Sequence, residues 1–227
     1  MTEFAQERVD PYEITEGEPP ELLGRNLNSA AHMLASATAF FFLAFLFAYL
    51  YLRSLNNDHL WHPRGVKPSL TLGTLIMLLT VACAGIVRLC VIDQAAGRRA
   101  QWRLKGLLAL LVGLGAIAAQ IVEWGVIGFG PADGGYASVF FGWTAFNLLF
   151  LAITLFTLEN VVATAYRYRN APGGTPPAGE ASGDPGRPGH DISDPLSLVR
   201  PGLTSLSFYL AFLAALGVLL WVVLYLA

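Results

Sequence analysis

Residues 70–92 read LTLGTLIMLLTVACAGIVRLCVI, an apolar run that contains a single charged side chain, that of Arg88. About 20 apolar residues in a helix suffice to cross the ~30 Å hydrocarbon core of a bilayer. Runs of similar length and character recur along the chain, so we predict five transmembrane helices over 30–52, 70–92, 106–129, 137–165 and 203–226. The sequence therefore predicts an all-α integral membrane protein.

The composition of the chain supports this prediction and excludes several other classes of protein. Of its 227 residues 55% are apolar and 13% are charged, whereas soluble domains are about 25% charged. The net charge of −2 argues against a nucleic-acid partner. Cys83 and Cys90 lie seven residues apart, about 10 Å along a helix, which is too far for a disulfide.

Two polar segments flank or interrupt the predicted membrane domain, which extends over 30–227. Residues 1–29 form a tail with seven acidic side chains and three prolines, so we expect no cleaved signal peptide there. Residues 170–200 are rich in proline and glycine, a composition typical of a flexible loop. We expect this loop to lie in the cytoplasm, between the fourth and fifth spans.

The distribution of lysine and arginine predicts the orientation of the chain in its membrane. The tail, the second loop and the fourth loop share one side and carry two, four and four cations, whereas Arg53, Arg64 and Lys67 lie on the other side. Cytoplasmic loops carry the excess of lysine and arginine. We therefore expect a cytoplasmic N-terminus and an external C-terminus.

Histidine placement argues against a redox cofactor bound by this chain. Buried histidines commonly ligate haem in membrane proteins, but of the four histidines only His32 falls within a predicted span. An intramembrane serine protease would also need a buried serine–histidine pair. The sequence therefore predicts no catalytic residue, no metal ligand and no cofactor-binding residue.

Charged side chains inside spans are costly and need a partner or a function. Arg88 and Glu159 lie near the cytoplasmic ends of the second and fourth spans. We expect either a structural ion pair between them or two side chains that reach the interface independently.

Glu123 lies deeper, six residues from the outer end of the third span, with Gln120 one turn earlier on the same face. A carboxyl group there should be neutral, hydrogen-bonded or paired with Arg53. It could fasten helices together, or it could take part in proton or lipid-headgroup chemistry. Ala109, Gly113 and Ala116 precede it as a stripe of small residues, which favours close helix packing.

Several local patterns, taken in order, resemble subunit III of the haem-copper terminal oxidases. They are FFLAFLFAY (41–49), WHPRG (61–65), LGTLIMLL (72–79), QIVEW (120–124) and GYASVFF (135–141). The predicted topology, five spans with a cytoplasmic N-terminus, also resembles that of bacterial subunit III proteins that lack the first two helices of the family. The resemblance extends over residues 30–227.

The chain also departs from the family pattern. The membrane glutamate of the family falls at Thr38, and two of its histidines fall at Asn147 and Phe150. The last helix of the family carries a W-H-F-V-D pattern, whose final four places are here Ala211, Phe212, Leu213 and Ala214. The resemblance thus identifies a divergent member that lacks many of the polar residues associated with bound lipid and proton uptake.

The resemblance implies a noncatalytic subunit of a proton-pumping respiratory oxidase in the bacterial cytoplasmic membrane. Haem and copper would then belong to partner subunits, catalytic subunit I among them, which would reduce oxygen with electrons from cytochrome c or quinol. The resemblance also implies two helix groups, spans one and two and spans three to five. A phospholipid-filled cleft between them would be lined by Thr38, Phe41 and the faces of spans three and four. The lipid would be held mainly by shape and by interfacial cations such as Arg53 or Arg88.

Two other functions remain open at the level of sequence. An accessory protein of a nitric oxide reductase would share this fold and its lack of cofactors. A small membrane transporter would instead need discontinuous helices or an inverted repeat with polar groups at mid-membrane. Proteins that copurify with the chain in mild detergent would distinguish these functions.

Overall fold

The structure, a computed structural model, describes residues 20–55, 61, 67–167 and 199–226. These residues form helices and no strands. The helices are α1 (Pro20–Ser54), α2 (Leu70–Ala95), α3 (Arg99–Val126), α4 (Gly135–Arg167) and α5 (Val199–Trp221), and one π-helical turn, Val222–Leu226, continues α5. Within this described part of the chain, five helices are long and apolar enough to cross a membrane. The prediction of an all-α, multi-pass membrane protein is confirmed.

Helix boundaries differ from the predicted spans where hydropathy does not mark the end of a helix. α1 begins at Pro20 rather than at residue 30, because polar residues can extend a helix beyond the bilayer. α3 ends at Val126, and Gly128 follows with a φ of 77°, a left-handed conformation that commonly terminates helices. Residues 1–19 of the predicted tail and 170–198 of the predicted loop lie outside the described residues.

Successive helices run in opposite directions. At one end of the bundle Gly24 of α1 lies beside Pro201 of α5, and Gly106 of α3 lies beside Val162 of α4. At the other end Trp61 lies beside Gly135, where α4 begins. The start of α1 and the end of α5 therefore lie at opposite ends of the bundle.

The expected division into spans one and two and spans three to five is wrong. α1 packs against α4 and α5, and α2 packs against α3 and α5. Phe41 of α1, expected to line a lipid-filled cleft, instead contacts the rings of Phe146 and Phe150 of α4. The physical reason is that α5 provides hydrogen-bonding side chains to both α1 and α2, which residue patterns within single helices do not disclose.

Two apolar clusters hold the helices together. The larger cluster joins α2, α3, α4 and α5 through mostly aliphatic side chains. Here the predicted stripe of small residues on α3 is buried, and an added methyl group at Gly113 would collide with Leu155 of α4. The second cluster is rich in aromatic rings and joins α1, α4 and the C-terminal turn. Glu123 lies beside this second cluster.

Candidate functional site

Glu123 is the most deeply buried charged residue among those that the structure describes, with an exposed fraction of 0%. The hydroxyl of Tyr225 donates to both carboxyl oxygens, at 2.8 Å from Oε1 and 2.7 Å from Oε2. Gln120 Nε2 donates to Oε2 at 3.0 Å. We call these three residues, with Gly73 against the Tyr225 ring, the Glu123 cluster. The Gln120 amide and the Tyr225 hydroxyl are neutral donors. Of the alternatives predicted for Glu123, the structure therefore supports the hydrogen-bonded carboxyl group.

Gly73 makes room for Tyr225. A Cβ atom at Gly73 would overlap the Tyr225 ring, so a larger residue on this face of α2 would displace the phenol. The ring of Tyr225 also packs edge-on against Phe140 of α4, with 5.9 Å between ring centroids. The phenol thus touches α2 and α4 while its hydroxyl binds α3.

Two further hydrogen bonds fix the end of α5 and the π-helical turn Val222–Leu226 that follows it, here called the C-terminal turn. Tyr136 of α4 donates its hydroxyl to the carbonyl oxygen of Leu224 at 2.6 Å. Trp221 donates its indole N–H to Thr74 Oγ1 of α2 at 3.0 Å. Carbonyl groups near a helix end lack partners within the helix, and the Tyr136 hydroxyl satisfies one of them. The last turn of the chain is therefore joined to α2, α3 and α4.

Neighbouring aromatic residues extend this network. The backbone N–H of Tyr136 donates to the carbonyl oxygen of Trp61 at 2.9 Å, and their rings meet edge-on at 5.9 Å. Trp124, next to Glu123, donates its indole N–H to Thr144 Oγ1 of α4 at 3.1 Å. The network therefore connects α3, α4 and the segment that follows α1.

Arg53 and Thr38 do not belong to the Glu123 cluster. Arg53 is exposed and donates to the Tyr49 hydroxyl at 3.3 Å, so the alternative of an Arg53–Glu123 ion pair is wrong. Thr38 donates to the Leu34 carbonyl and lies 2.9 Å from the Tyr209 hydroxyl of α5. It therefore joins α1 to α5.

The alternative of an Arg88–Glu159 ion pair is also wrong. Both residues are exposed, and the salt bridges found among the described residues both involve Asp93. Arg98 Nη2 lies 2.6 Å from one Asp93 oxygen, and Lys105 Nζ lies 2.5 Å from the other. These contacts close the short turn between α2 and α3.

Sequence reasoning missed Asp93, Gly73 and Tyr225. Asp93 lies just beyond the predicted span, because the apolar run ends at Ile92, whereas α2 continues to Ala95. The basic residues Arg98 and Lys105, which follow Asp93 across a short turn, could have indicated that Asp93 forms ion pairs. Tyr225 could have been found by asking which hydroxyl near the outer end of another span can reach a buried carboxyl group.

No group of three or more potential metal-ligating side chains occurs within the described ranges 20–55, 61, 67–167 and 199–226. His32 is exposed, donates from Nδ1 to the Asn28 carbonyl and stacks on Phe208. The other three histidines, at 59, 62 and 190, lie outside the described residues. Cys83 and Cys90 are buried free thiols.

Comparison with known proteins identifies no family for this chain. No protein-family model matches its sequence, and a search of curated proteins finds no match.

Proposed function

We propose that this chain is a noncatalytic, subunit III-like component of a proton-pumping haem-copper oxidase in a bacterial cytoplasmic membrane. It would stabilise catalytic subunit I and organise the access of lipid and protons to it. Haem and copper would be bound by partner subunits, and this chain would supply no catalytic residue.

One observation carries the proposal beyond the sequence resemblance. Residues from four separate resembling segments meet around one end of the bundle: Trp61, Gly73, Glu123 with Trp124, and Tyr136. Trp61 and Tyr136 contact each other, while Gly73 and Glu123 both contact Tyr225. Segments that are far apart in sequence thus meet at one end of the bundle, which supports treating the resembling segments as parts of one fold.

The contacts of the Glu123 cluster favour a structural task. The Tyr225–Glu123 hydrogen bonds join the C-terminal turn to α3, and Trp221, the last residue of α5, joins that helix to α2. Interhelical hydrogen bonds of this kind each contribute about 0.6 kcal/mol on average, and at most about 1.7 kcal/mol, in a measured membrane protein. A helical bundle fixed in this way presents a stable surface to a partner.

Copurification tests the proposed function. The tagged full-length chain is isolated from its native membrane in mild detergent, and haem and copper are measured with the identities of the copurifying proteins. We expect haem and copper to copurify with an oxidase catalytic subunit and to separate from this chain when the complex is dissociated.

Three results would contradict the proposal. One is a Soret band or stoichiometric copper retained by the isolated chain. Another is copurification with a nitric oxide reductase, which would favour the alternative accessory role. The third is a chain that purifies alone and moves a solute across proteoliposome membranes.

A further inference from the structure

An open groove of about 510 Å³ runs along the outer side of the α3–α4 contact. Its walls are mainly aliphatic, with Leu107, Leu111 and Leu114 contributed by α3. Glu159 of α4 is the one charged residue that lines it. An acidic side chain thus lies in an otherwise apolar groove.

The packing of α3 on α4 establishes the depth of Glu159. Gly106 lies opposite Val162, and Gly113 lies opposite Leu155, so the antiparallel register places Glu159 level with Ala109. That level is about 6 Å along the helix axis beyond Lys105. Glu159 therefore lies about one helical turn deeper in the bundle than the ion pair of Lys105 with Asp93.

No cation of the described residues neutralises Glu159, because both of their salt bridges use Asp93. Charged side chains at membrane depth are costly, and they usually face a partner or a water-filled cavity. Glu159 is exposed at the surface of its own chain. A cation from outside the described residues would satisfy its charge.

The charge of Glu159 and the small residues beside it indicate what kind of partner fits. Ala152 and Ala163, on the same face of α4, also line the groove, and alanines let helix backbones approach closely in a membrane. A lysine or arginine on a helix packed there would lie against the Glu159 carboxylate, while the aliphatic walls of the groove would contact the apolar residues of that helix.

We propose that the α3–α4 groove is the docking site for a transmembrane helix of a partner protein, and that a lysine or arginine on this helix pairs with Glu159. The proposal is independent of the oxidase assignment, since it specifies the chemistry of the partner helix and not the identity of the complex.

Photo-crosslinking from the groove tests this proposal. A benzophenone amino acid replaces Phe156 in the tagged full-length chain, which is expressed in its native membrane, and the crosslinked peptide is sequenced by mass spectrometry. We expect a membrane-spanning segment with a lysine or arginine near the depth of Glu159. E159L should lower the yield about fivefold or more, since fivefold corresponds to about 1 kcal/mol of pairing free energy.

Two controls separate loss of pairing from loss of folding. The same crosslinker at Phe47, exposed on α1, should give a yield that E159L does not alter. In the groove, E159K should lower the yield as E159L does, and replacement of the cation of the partner by glutamate should restore it.

Other results would overturn the docking proposal. These are an adduct with the mass of a phospholipid only, a partner segment that lacks a cation, a yield that E159L leaves unchanged, or no adduct. If the crosslinked segment carries the cation but belongs to a protein unrelated to haem-copper oxidases, the proposed function fails while the docking site stands.

Discussion

At the scale of single residues, the hydrogen-bond partners of Glu123 determine how each substitution there should act. Tyr225 and Gln120 provide neutral donors to its oxygens. A glutamine at this position keeps a carbonyl oxygen that can accept the phenol hydrogen, whereas a leucine keeps no acceptor. The two substitutions therefore separate hydrogen bonding from simple occupancy of the site.

We expect E123Q to change the free energy of unfolding by less than about 1 kcal/mol, because membrane hydrogen bonds of this kind contribute modestly. E123L should cost about 1–3 kcal/mol, since it leaves buried donors without a partner. Unfolding in mixed detergent micelles containing increasing dodecyl sulfate measures both values. Equal losses for the two variants would show that the hydrogen bonds to Glu123 do not stabilise the fold.

Gly73 provides a second prediction, because its lack of a side chain admits the Tyr225 ring. G73A should displace the phenol and cost about 1–3 kcal/mol, the usual range for overpacking. G85A is the matched control, since Gly85 lies on the same helix and has nothing within 4 Å of an added Cβ atom. Unfolding titrations of the two variants in mixed detergent micelles make the comparison. Equal stability would show that Tyr225 does not depend on Gly73.

At the scale of helices, the sequence predicts which segments span the membrane better than it predicts which helices touch. Hydropathy identifies each helix because lipid exposure requires apolar residues over a fixed length. The neighbours of α5 depend instead on single polar contacts, such as Trp221 with Thr74 and Tyr209 with Thr38. These pairs are 147 and 171 residues apart in sequence, so no local pattern predicts them.

The candidate site was predictable in part for the same reason. Gln120 and Glu123 lie one helical turn apart, and a helix brings such residues together whatever surrounds them. Tyr225 is 102 residues from Glu123, and its contribution depends on how α5 packs. Local spacing therefore predicted one of the two donors to Glu123, and tertiary packing supplied the other.

The turn between α2 and α3 yields a prediction at this scale. Asp93 is buried, whereas the side chains of its partners Arg98 and Lys105 are 49% and 34% exposed. D93N should therefore cost about 1–3 kcal/mol, the range for lost hydrogen bonds to charged groups. R99Q is a suitable control, because Arg99 is exposed and takes no part in either salt bridge. Unfolding in mixed micelles compares them, and equal stability would contradict the role assigned to Asp93.

At the scale of the whole molecule, the described cations are concentrated at one end of the bundle. Arg98, Lys105, Arg167 and Arg200 lie at or near helix ends there, as the contacts of Gly24 with Pro201 and of Gly106 with Val162 require. Arg53 and Lys67 lie near the helix ends of the opposite side. Since lysine and arginine favour the cytoplasmic side, the more cationic end should face the cytoplasm.

Cysteine labelling of the full-length chain tests this orientation. Single cysteines at Leu55 and Ala132 should react with a membrane-impermeant maleimide in intact spheroplasts, because both residues lie at the end predicted to be external. Cysteines at Ala96 and Arg167 should react only after the membrane is permeabilised. All four positions are exposed, whereas the native Cys83 and Cys90 are buried and should stay unlabelled. An inverted pattern would show that the cationic end faces outward, and equal labelling of Leu55 and Ala96 would show that α2 does not cross the membrane.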